Sequence, residues 1–306
     1  MIVGITGANG FIGGQLCARF EQAGHEVRRI VRADYERGAL PDLLRGVHTV
    51  IHAAGATRAP THAALHRANV TLTRLTLRDA QAAGVQRFVF ISSQAAAGPA
   101  PFRDKPIDEA TPPAPIEAYG RSKLDAEAVV RASGMPFTIV RPCAVYGPAD
   151  RDFLAMFRIA SRGVAIHPAN RDHWLSIAHV DDIVDGIRLA AQSDRAIGQT
   201  YFLCAREPHQ WRGLFALAAA SAGRRLALDV EIPSVVVDAA ASIGTAIARL
   251  SGRAGLLTRE KVALSRAVYW ICSSARAEQE LGYAPRVDLQ TGFAATYHWY
   301  REHHWL

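Results

Sequence analysis

Short apolar runs and longer segments with helical periodicity alternate along the first half of the chain. The run MIVGIT at residues 1–6 predicts a buried strand, and the FIGGQLCARFEQAG segment predicts a helix that stops at Gly24. Further strands are predicted at 25–32, 48–55, 85–93 and 136–147, and further helices at 62–83 and about 117–133. This alternation is typical of an α/β protein with a doubly wound parallel sheet, covered on both faces and joined by right-handed crossovers.

The turns that follow these strands carry the glycine-rich and polar sequences. In open parallel sheets, ligands bind outside the carboxyl ends of the strands. We therefore expect the turns and strand ends GANG, HAAG, ISS and VYG to collect at one edge of the sheet. The topology alone predicts a binding site at that edge.

The pattern changes after Gly147. Helical segments at about 152–162, 181–192, 210–222, 234–251, 274–281 and 289–303 alternate with short apolar runs such as TYFLCA. We predict a main domain from residues 1–147 plus about 176–204. Residues from about 148–175 and 205–306 are predicted to form a smaller, mostly helical C-terminal lobe.

Composition excludes several classes of protein. With 306 residues, 49% of them hydrophobic and 21% charged, the chain can bury a sizeable core. Its four cysteines lie far apart without metal-ligand or redox spacing, which fits a reducing compartment and a cytoplasmic protein. The N-terminus lacks the features of a signal peptide, and Asp238 interrupts the most apolar run, 233–250. We therefore predict no membrane span, and expect that run to be an amphipathic helix packed on the protein.

The formal net charge of +7 is spread along the chain, without a block of five like charges. Nucleic-acid binding would require a basic stripe with exposed aromatic residues, which the sequence does not show. We predict no nucleic-acid partner and no metal site. A mild basic excess suits a phosphorylated cofactor.

The turn Gly7-Ala8-Asn9-Gly10-Phe11-Ile12-Gly13 joins the first strand to the first helix. Gly7 permits a tight turn, Gly10 lets a pyrophosphate approach the backbone, and Gly13 allows close helix–strand packing. The N–H groups at the helix start are open to phosphates. In this position the glycine pattern predicts a dinucleotide cofactor, held by Gly7, Asn9, Gly10, Phe11, Ile12 and Gly13. The alternative is a glycine turn without a ligand.

The end of the second strand indicates which dinucleotide is preferred. An acidic residue there would accept hydrogen bonds from the ribose of NAD, but the chain has Val31 followed by Arg32. An arginine can pair with the 2′-phosphate of NADP. We therefore predict a preference for NADP, with NAD possible. The alternative is that Arg32 is a solvated residue at a strand end.

Several motifs together resemble one family. TGANGFIGG, VIHAAG, NVTLTRLTLRDAQAAGVQRFVFISS, YGRSK, VRPCAVYGP and HVDDIVDGI occur in the order typical of extended short-chain dehydrogenases/reductases, the NAD-dependent epimerase/dehydratase superfamily. The resemblance covers nearly the whole chain. It implies a Rossmann-like dinucleotide domain, a small C-terminal substrate lobe and chemistry that begins with hydride transfer to or from a nicotinamide.

The resemblance implies roles for Tyr119, Lys123 and Ser93. Four residues apart on a helix, Tyr119 and Lys123 share one face. A nearby cation can lower the pKa of a tyrosine by roughly 1–3 units from about 10, which would suit general acid–base catalysis. Tyr119 would be the acid/base, Lys123 would tune it and hold the nicotinamide ribose, and Ser93 would hydrogen-bond the substrate oxygen. Ser92 is the alternative for that role. A purely structural Tyr/Lys pair remains the other interpretation.

The resemblance extends to further positions around the cofactor, where small or apolar residues would make contact: Ala53, Ala54, Gly55, Ser92, Pro142 and Val145. Asn69 would shape the helix beside the active site or be a plain helix residue. Cys143 is interpreted as a packing residue, since no partner activates it. Asp181 and Asp182 are expected to cap a helix, with His179 at most peripheral to the site.

The sequence departs from the family pattern in two places, one at the edge of the sheet and one in the region expected to contact the substrate. Only a short segment separates Arg32 from the strand near Val47, so the sheet is expected to be one strand short or to have an unusual edge. Trp174 and Leu175 occupy the place where many nucleotide-sugar enzymes carry an arginine, and an apolar segment over the pocket would suit a hydrophobic carbonyl substrate. The tail from Tyr269 onward resembles the 3β-hydroxysteroid dehydrogenase and dihydroflavonol reductase branch.

We predict an NAD(P)-dependent oxidoreductase that interconverts a secondary alcohol and a ketone on a largely apolar small molecule. One alternative is a nucleotide-sugar epimerase or dehydratase with tightly bound NAD. Another is a non-catalytic dinucleotide sensor, although such relatives usually lose the Tyr/Lys pair. A homodimer is possible through the helix of Tyr119, whose Leu124, Ala128 and Val129 could face a partner or the core.

Overall fold

The computed structural model describes residues 1–168, 172–233, 235–239, 244 and 267–306. The strands in this part of the chain are β1 (Ile2–Thr6), β2 (Glu26–Ile30), β3 (Thr49–His52), β4 (Arg87–Ile91), β5 (Phe137–Pro142), β6 (Ala144–Tyr146), β7 (Val164–Pro168), β8 (Trp174–Leu175), β9 (Ile177–His179), β10 (Thr200–Leu203), β11 (His209–Gln210), β12 (Leu228–Ile232) and β13 (Tyr269–Trp270). The helices are α1 (Phe11–Gln22), α2 (Arg32–Glu36), α3 (Leu40–Leu43), α4 (His62–His66), α5 (Leu72–Ala82), α6 (Ala118–Arg131), α7 (Leu154–Ala160), α8 (Val180–Gln192), α9 (Trp211–Ser221), α10 (Ala275–Leu281) and α11 (Leu289–Glu302).

The main sheet has six strands in the order β10-β5-β4-β3-β1-β2. Every neighbouring pair is parallel. From β1 the chain goes first to β2 on one side and then to β3 on the other, so the strand order reverses between β1 and β3. Such a switch point opens a crevice at the carboxyl ends of the two strands, which is where dinucleotides bind in this class of fold. The predicted Rossmann-like, doubly wound fold is confirmed.

Separate apolar cores cover the two faces of this sheet. On one face α1 packs against α8, and side chains such as Leu16, Phe20 and Ile183 are fully buried against the strands. On the other face α5 packs against α6, with Leu77 and Val130 buried. Burial of apolar area on both sides of the sheet holds the strand ends in fixed positions.

The sheet ends at β2, as the short segment after Arg32 predicted. The short helices α2 and α3 fill that segment, and Leu40 and Leu44 are buried against the core below. Along β2, charged side chains such as Glu26 are exposed. Charged residues on an edge strand discourage pairing with another chain.

The prediction of a single strand at 136–147 is wrong in one respect, because this segment forms two strands. β5 ends at Pro142, and the main-chain N–H of Cys143 still bonds Leu203 of the main sheet. The N–H of Ala144 turns instead to Ser176, and β6 pairs with β9, with Val145 opposite Ala178. Val145 therefore lies on a separate two-stranded sheet next to the site.

The predicted helix at 62–83 is one continuous helical segment with a π-helical turn at Arg67–Thr71 in its middle. The remaining predicted helices before 222 and after 274 are present within a few residues of their expected bounds. The helix predicted at 234–251 lies largely outside the described residues, of which 235–239 are helical. No helix in the described part of the chain is long and apolar enough to cross a membrane.

A third apolar core lies beyond the main sheet. It joins α7, α9 and α11 through fully buried side chains that include Phe157, Leu214, Phe293 and Tyr300. The small sheets β7–β12 and β11-β8-β13 flank it. The boundaries proposed between main domain and C-terminal lobe stay a prediction.

Candidate active site

The glycine turn packs directly against the end of β3. Gly7 has a φ of +69°, and a Cβ on it would lie 2.8 Å from the main-chain nitrogen of Ala54 and 2.9 Å from the main chain of Ala53. A Cβ on Gly13 would lie 2.1 Å from the main-chain oxygen of Gly7. Gly7 and Gly13 are therefore required by backbone contacts, since any side chain there would collide with the main chain.

The start of α1 fits a dinucleotide. Its N-cap is Gly10, which has no side chain to occupy the first N–H groups of the helix. Gly10, Phe11 and Ile12 line a cavity of about 920 Å³. Open main-chain donors at a helix N-terminus, facing a cavity, suit the phosphates of a nucleotide.

The same cavity brings together the separate segments that the sequence predicted to converge. Its lining includes the predicted site residues Asn9, Gly10, Phe11, Ile12, Ser92, Ser93, Tyr119, Pro142 and Val145. The other predicted site residues are not part of this lining: Gly7, Gly13, Arg32, Ala53, Ala54, Gly55 and Lys123. Cys143 and Ala144, from the segment between Pro142 and Val145, also line the cavity. The lining further includes residues that sequence reasoning missed: Gly14, Gln15, Thr57, Ala149, Asp150, Arg151, Asp152, Phe153 and Trp305.

Tyr119 lies in the first turn of α6, close enough to Ser93 for the serine side chain to act to lower the pKa of its hydroxyl. Ser93 follows β4, and its hydroxyl accepts a hydrogen bond from the N–H of Ala95 at 3.1 Å. Burial raises the pKa of Tyr119 to about 12. In the protein without cofactor this pKa is raised and not lowered, because removal of the phenolate from water outweighs the other effects on it. The role of Lys123 as the residue that tunes Tyr119 stays a prediction.

Lys123 lies one helical turn further along α6 and is 5% exposed. Its ammonium donates to the main-chain oxygen of Ile91 at 2.6 Å and lies 4.3 Å from the centroid of the Phe90 ring. Burial lowers the pKa of Lys123 to about 7. The lysine is therefore fixed at the carboxyl end of β4, directly before the two serines.

Ser92 and Ser93 have different surroundings although both line the cavity. The Ser92 hydroxyl donates to Glu127 at 2.6 Å, and Glu127 forms a buried ion pair with Arg141 at 2.7 Å. This places the Ser92 side chain in a buried polar cluster, whereas Ser93 contacts Tyr119.

Asn69 lies in the π-helical turn and is 1% exposed. Its amide bonds both main-chain groups of Ala56, at 2.8 and 3.0 Å, and donates to the Ser122 hydroxyl at 2.8 Å. Ser122 in turn donates to the main-chain oxygen of Tyr119 at 2.8 Å. Asn69 therefore joins the loop after β3 to the helix that carries Tyr119.

Gly55 lies close to the same asparagine. A Cβ on Gly55 would lie 2.7 Å from the amide oxygen of Asn69 and 4.0 Å from the ammonium of Lys123. The small size of this residue thus follows from the tight contact between the loop and Asn69.

His52 is a buried polar residue that sequence reasoning missed, although its place in VIHAAG marks it as a polar residue in an apolar strand. Its ring nitrogens lie 2.8 Å from the Thr6 hydroxyl and 3.1 Å from the Thr73 hydroxyl. Burial, and secondarily the charge of Lys123, lowers the pKa of His52 to about 3. A neutral imidazole therefore links β1 and β3 to α5 below the site.

Arg32 begins α2 directly beyond the end of β2 and is exposed. The nearby Asp34 is 3% exposed, accepts from the N–H of Val31 at 2.7 Å and pairs with Arg37. Within the described ranges, Arg32 forms no ion pair or hydrogen bond. Its guanidinium is available for a ligand at the edge of the crevice.

Trp174 and Leu175 do not line the cavity, and the expectation that they cover it is wrong. They form β8, which pairs with β11 and β13. The guanidinium of Arg103 lies 3.6 Å from the centroid of the Trp174 ring. These apolar residues contribute to packing, so the character of the cavity depends on other side chains.

Asp182 has the structural role expected of it, since its carboxylate accepts from the N–H groups of Arg286 and Val287 at 2.8 and 3.2 Å. The helix α8 is capped instead by His179, whose ring accepts from the N–H of Asp181 at 3.3 Å. In the described part of the chain, no group of three or more His, Cys, Asp or Glu side chains could hold a metal ion.

Comparison with known proteins assigns the chain to a family. The sequence profile of the NAD dependent epimerase/dehydratase family matches residues 3–204, which span the glycine turn, Tyr119 and the whole main sheet. The chain belongs to this family. It is thus an NAD-dependent enzyme of the extended short-chain dehydrogenase/reductase type, as the motifs predicted.

Relatives in this epimerase/dehydratase family include reductases that are similar over nearly the whole chain. The 4-hydroxy-2-methyl-3-oxo-4-farnesyl-3,4-dihydroquinoline-1-oxide ketoreductase of Stigmatella aurantiaca is 30% identical over 318 residues, covering 95% of this chain and 94% of the relative. The ceramide reductase of Caulobacter vibrioides is 28% identical over 324 residues, covering 100% of this chain and 96% of the relative. Among solved structures, gox2253 has a TM-score of 0.79 at 28% identity and covers 99% of this chain and 98% of its own.

Proposed function

We propose that this enzyme interconverts a secondary alcohol and a ketone on a largely apolar small molecule, with Tyr119 as the acid/base and NADP as the preferred cofactor. The observation that carries the proposal is that Tyr119 and Ser93 line one cavity with the glycine turn, where the Ser93 side chain acts to lower the pKa of Tyr119. These are the two hydroxyl groups that a carbonyl reduction requires, one for the proton and one for the oxygen.

The residues divide the chemistry as follows. The nicotinamide, when bound, supplies or accepts the hydride. Ser93 donates a hydrogen bond to the substrate oxygen, where negative charge develops during reduction. Tyr119 transfers its proton to that oxygen, and its raised pKa keeps the hydroxyl protonated before the reaction. Lys123 is anchored on Ile91, one helical turn from Tyr119, and its protonated form would stabilise the phenolate that remains.

Ser93 is a better candidate than Ser92 for the oxygen-binding role. The Ser92 hydroxyl is engaged by the buried carboxylate of Glu127 at 2.6 Å. Ser93 is the serine that contacts Tyr119. Two groups that act on the same substrate oxygen must both lie within hydrogen-bond distance of that atom, and therefore close to each other.

The preference for NADP rests on Arg32. Its exposed guanidinium lies beyond the end of β2, without a partner in the described ranges, next to the crevice between β1 and β3. The neighbouring Asp34 is occupied by Val31 and Arg37 and is not available to a ribose hydroxyl. An unpaired arginine at this place supports recognition of a 2′-phosphate.

The apolar substrate class is supported by the similar reductases. Their names place a farnesyl-bearing quinoline and a ceramide among the substrates of relatives that match nearly the whole chain. In the cavity of this chain, Val145, Phe153 and Trp305 are apolar or aromatic lining residues beyond the glycine turn. The substrate would place its carbonyl at Tyr119 and its apolar part against these residues.

A nucleotide-sugar epimerase or dehydratase is the second candidate, and Arg151 is the observation that favours it. This guanidinium lines the cavity and could contact a diphosphate. An epimerase would retain NAD through purification and would turn over a UDP-sugar without external cofactor. Detection of either property would displace the reductase proposal.

We also propose a cytoplasmic protein with the domain boundaries given above, and a homodimer through α6. On that helix Leu124 and Val129 are partly exposed and Ala128 is exposed, which leaves an apolar strip for a partner. Sedimentation of the wild type and of a Leu124→Glu variant tests this, since a charge in such an interface should dissociate the dimer.

The test of the function is a panel of ketones and secondary alcohols with NADPH or NADP, measured on the wild type and on Tyr119→Phe. We expect turnover by the wild type and a loss of at least about 100-fold in kcat for the variant. The affinity for NADP should change less than about threefold. Full activity of Tyr119→Phe would exclude the proposed role of the tyrosine, and a wild type that turns over no compound would favour a sensor.

A further inference from the structure

We infer that Trp305 is a specificity-determining residue, whose indole forms the surface against which the apolar, non-reacting part of the substrate packs. This inference rests on the proposed reductase function and names the part of the cavity that selects the substrate. Trp305 lies near the end of the tail that begins at Tyr269, far from Tyr119 in sequence, and the fold places both residues in the lining of one cavity.

Trp305 lines the same cavity as Tyr119 and Ser93 and is partly exposed in it. It approaches from the end of α11, in the third apolar core, whereas the glycine turn belongs to the main sheet. A substrate that reaches Tyr119 through this cavity therefore has the cofactor-binding turn on one side and the indole among its other contacts.

The backbone and ring contacts of Trp305 hold it in place. The main-chain N–H of Trp305 donates to the main-chain oxygen of Tyr300 at 2.8 Å, and the main-chain oxygen of Trp305 accepts from the Arg158 guanidinium at 2.8 Å. The indole lies parallel to the Tyr300 ring, with centroids 5.9 Å apart, and meets the Trp299 ring edge-on at 5.0 Å. A side chain ordered before binding loses little conformational entropy when a ligand packs on it.

The loop after β6 forms the adjoining wall and depends on the same helix. Asp150 is 2% exposed and accepts from the N–H groups of Asp152 and Phe153 at 2.8 and 2.9 Å. The Tyr300 hydroxyl approaches the same carboxylate at 3.5 Å. Ala149 in this loop has a φ of +72°, a left-handed conformation that is unfavourable for an alanine and that surrounding contacts must maintain.

The carboxylates of this wall are already engaged by other groups of the protein. Asp150 is bonded to main-chain N–H groups, and Asp152 pairs with Arg58 at 2.5 Å. The guanidinium of Arg151 lies 5.1 Å from the centroid of the Trp305 ring, at a distance typical of cation–π contacts. Phe153 and Trp305 are the aromatic residues of this wall, and they suit contact with an aromatic or aliphatic group.

The test compares two ketones on the same variants. The bulky probe is 2-acetylnaphthalene and the small probe is 2-butanone, each with saturating NADPH. For Trp305→Ala we expect kcat/KM to fall about 10- to 100-fold for the bulky ketone and less than about threefold for the small one. Trp305→Phe should retain most of the wild-type kcat/KM for the bulky ketone, because phenylalanine keeps an aromatic surface.

Trp174→Ala is the matched control, since Trp174 is also partly exposed, also contacts an arginine and does not line the cavity. It should leave the ratio of the two kcat/KM values within about twofold of the wild type. Melting temperatures of all variants identify any general loss of folding, which would lower kcat/KM for both ketones by the same factor.

Equilibrium binding of 2-acetylnaphthalene to the NADP-loaded protein separates this inference from the proposed function. Binding that weakens at least about tenfold in Trp305→Ala supports the role of the indole even if Tyr119→Phe disproves the proposed chemistry. Unchanged selectivity and binding in Trp305→Ala, with Tyr119→Phe inactive, would overturn the inference and leave the reductase proposal intact. Absence of bulky-ketone binding by the wild type, or turnover of a UDP-sugar that is lost in Arg151→Gln, would also overturn it.

Discussion

The ammonium of Lys123 donates to the main-chain oxygen of Ile91 at 2.6 Å, at the end of the strand that leads into Ser92 and Ser93. This contact joins the helix that carries Tyr119 to the strand that precedes Ser93. The buried side chain of Lys123 therefore helps to position the two elements that supply the hydroxyls of the proposed chemistry. The same burial lowers the pKa of Lys123 to about 7. Burial thus makes the charged form of Lys123 energetically costly at the position where the proposed chemistry uses it.

This cost predicts how stability depends on pH. Unfolded, the lysine has a pKa of about 10.4, and folded, a pKa of about 7. Between these values the unfolded chain binds more protons, so this group makes the free energy of unfolding rise with pH. The cofactor-free Lys123→Met variant should lack that rise, which urea unfolding of wild type and variant at pH 7, 8, 9 and 10 would measure.

Lys105→Met is the control for this prediction, since Lys105 is exposed and lies 5.9 Å from the Phe102 ring centroid. Its stability should follow the wild type over the same pH range. Parallel curves for wild type and Lys123→Met would show that Lys123 keeps its ordinary pKa in the folded protein. We also expect Lys123→Met to lose at least about 100-fold in kcat.

The raised pKa of Tyr119 predicts opposite pH profiles for the two reaction directions. The pKa of about 12 keeps the hydroxyl protonated, so reduction should show no loss from tyrosine ionisation between pH 6 and 9. Oxidation needs the phenolate and should accelerate by about tenfold per pH unit in that range. Profiles of kcat/KM in both directions measure this. A fall in the reduction rate with a midpoint below pH 9, assigned to Tyr119 by its absence in Tyr119→Phe, would contradict the prediction.

Arg32 should discriminate between the two dinucleotides. Arg32→Ala removes a charged hydrogen-bond donor from the 2′-phosphate and should weaken NADP binding by about 10- to 100-fold. NAD binding should change less than about twofold, since NAD lacks this phosphate. Calorimetric titration of cofactor-stripped protein with each dinucleotide measures both.

Arg28→Ala is the matched control for Arg32, because Arg28 is exposed on β2, just before Arg32, but pairs with Glu26 at 2.7 Å. It should leave both affinities unchanged. If the wild type binds NAD as tightly as NADP, the preference for NADP is wrong, and NAD that resists stripping would favour the epimerase.

The two serines after β4 should respond differently to removal of their hydroxyls. Ser93→Ala should lower kcat by about 10- to 1,000-fold with little change in stability, because its hydroxyl would act on the developing oxyanion. Ser92→Ala leaves the buried carboxylate of Glu127 with one donor fewer and should destabilise the protein by about 1–3 kcal/mol. Steady-state kinetics and urea unfolding of both variants test this. The reverse pattern would assign the oxygen-binding role to Ser92.

Much of the fold follows from local patterns in the chain. Apolar runs and helical spacing place most described strands and helices, because the periods of 2.0 and 3.6 residues are set by backbone geometry. The glycine turn was predictable for the same reason, since its position between a strand and a helix limits what it can contact. Tyr119 and Lys123 fall on one side of a helix by spacing alone.

Only the tertiary structure decided what surrounds each of these groups. The split at Pro142, the contact of Ser93 rather than Ser92 with Tyr119, and the place of Trp305 in the cavity depend on segments far apart in sequence. The pKa of Tyr119 is the clearest case. Spacing placed a cation near it, but burial in the folded protein raises its pKa. The energy of ionisation depends on the whole environment and not on one neighbour.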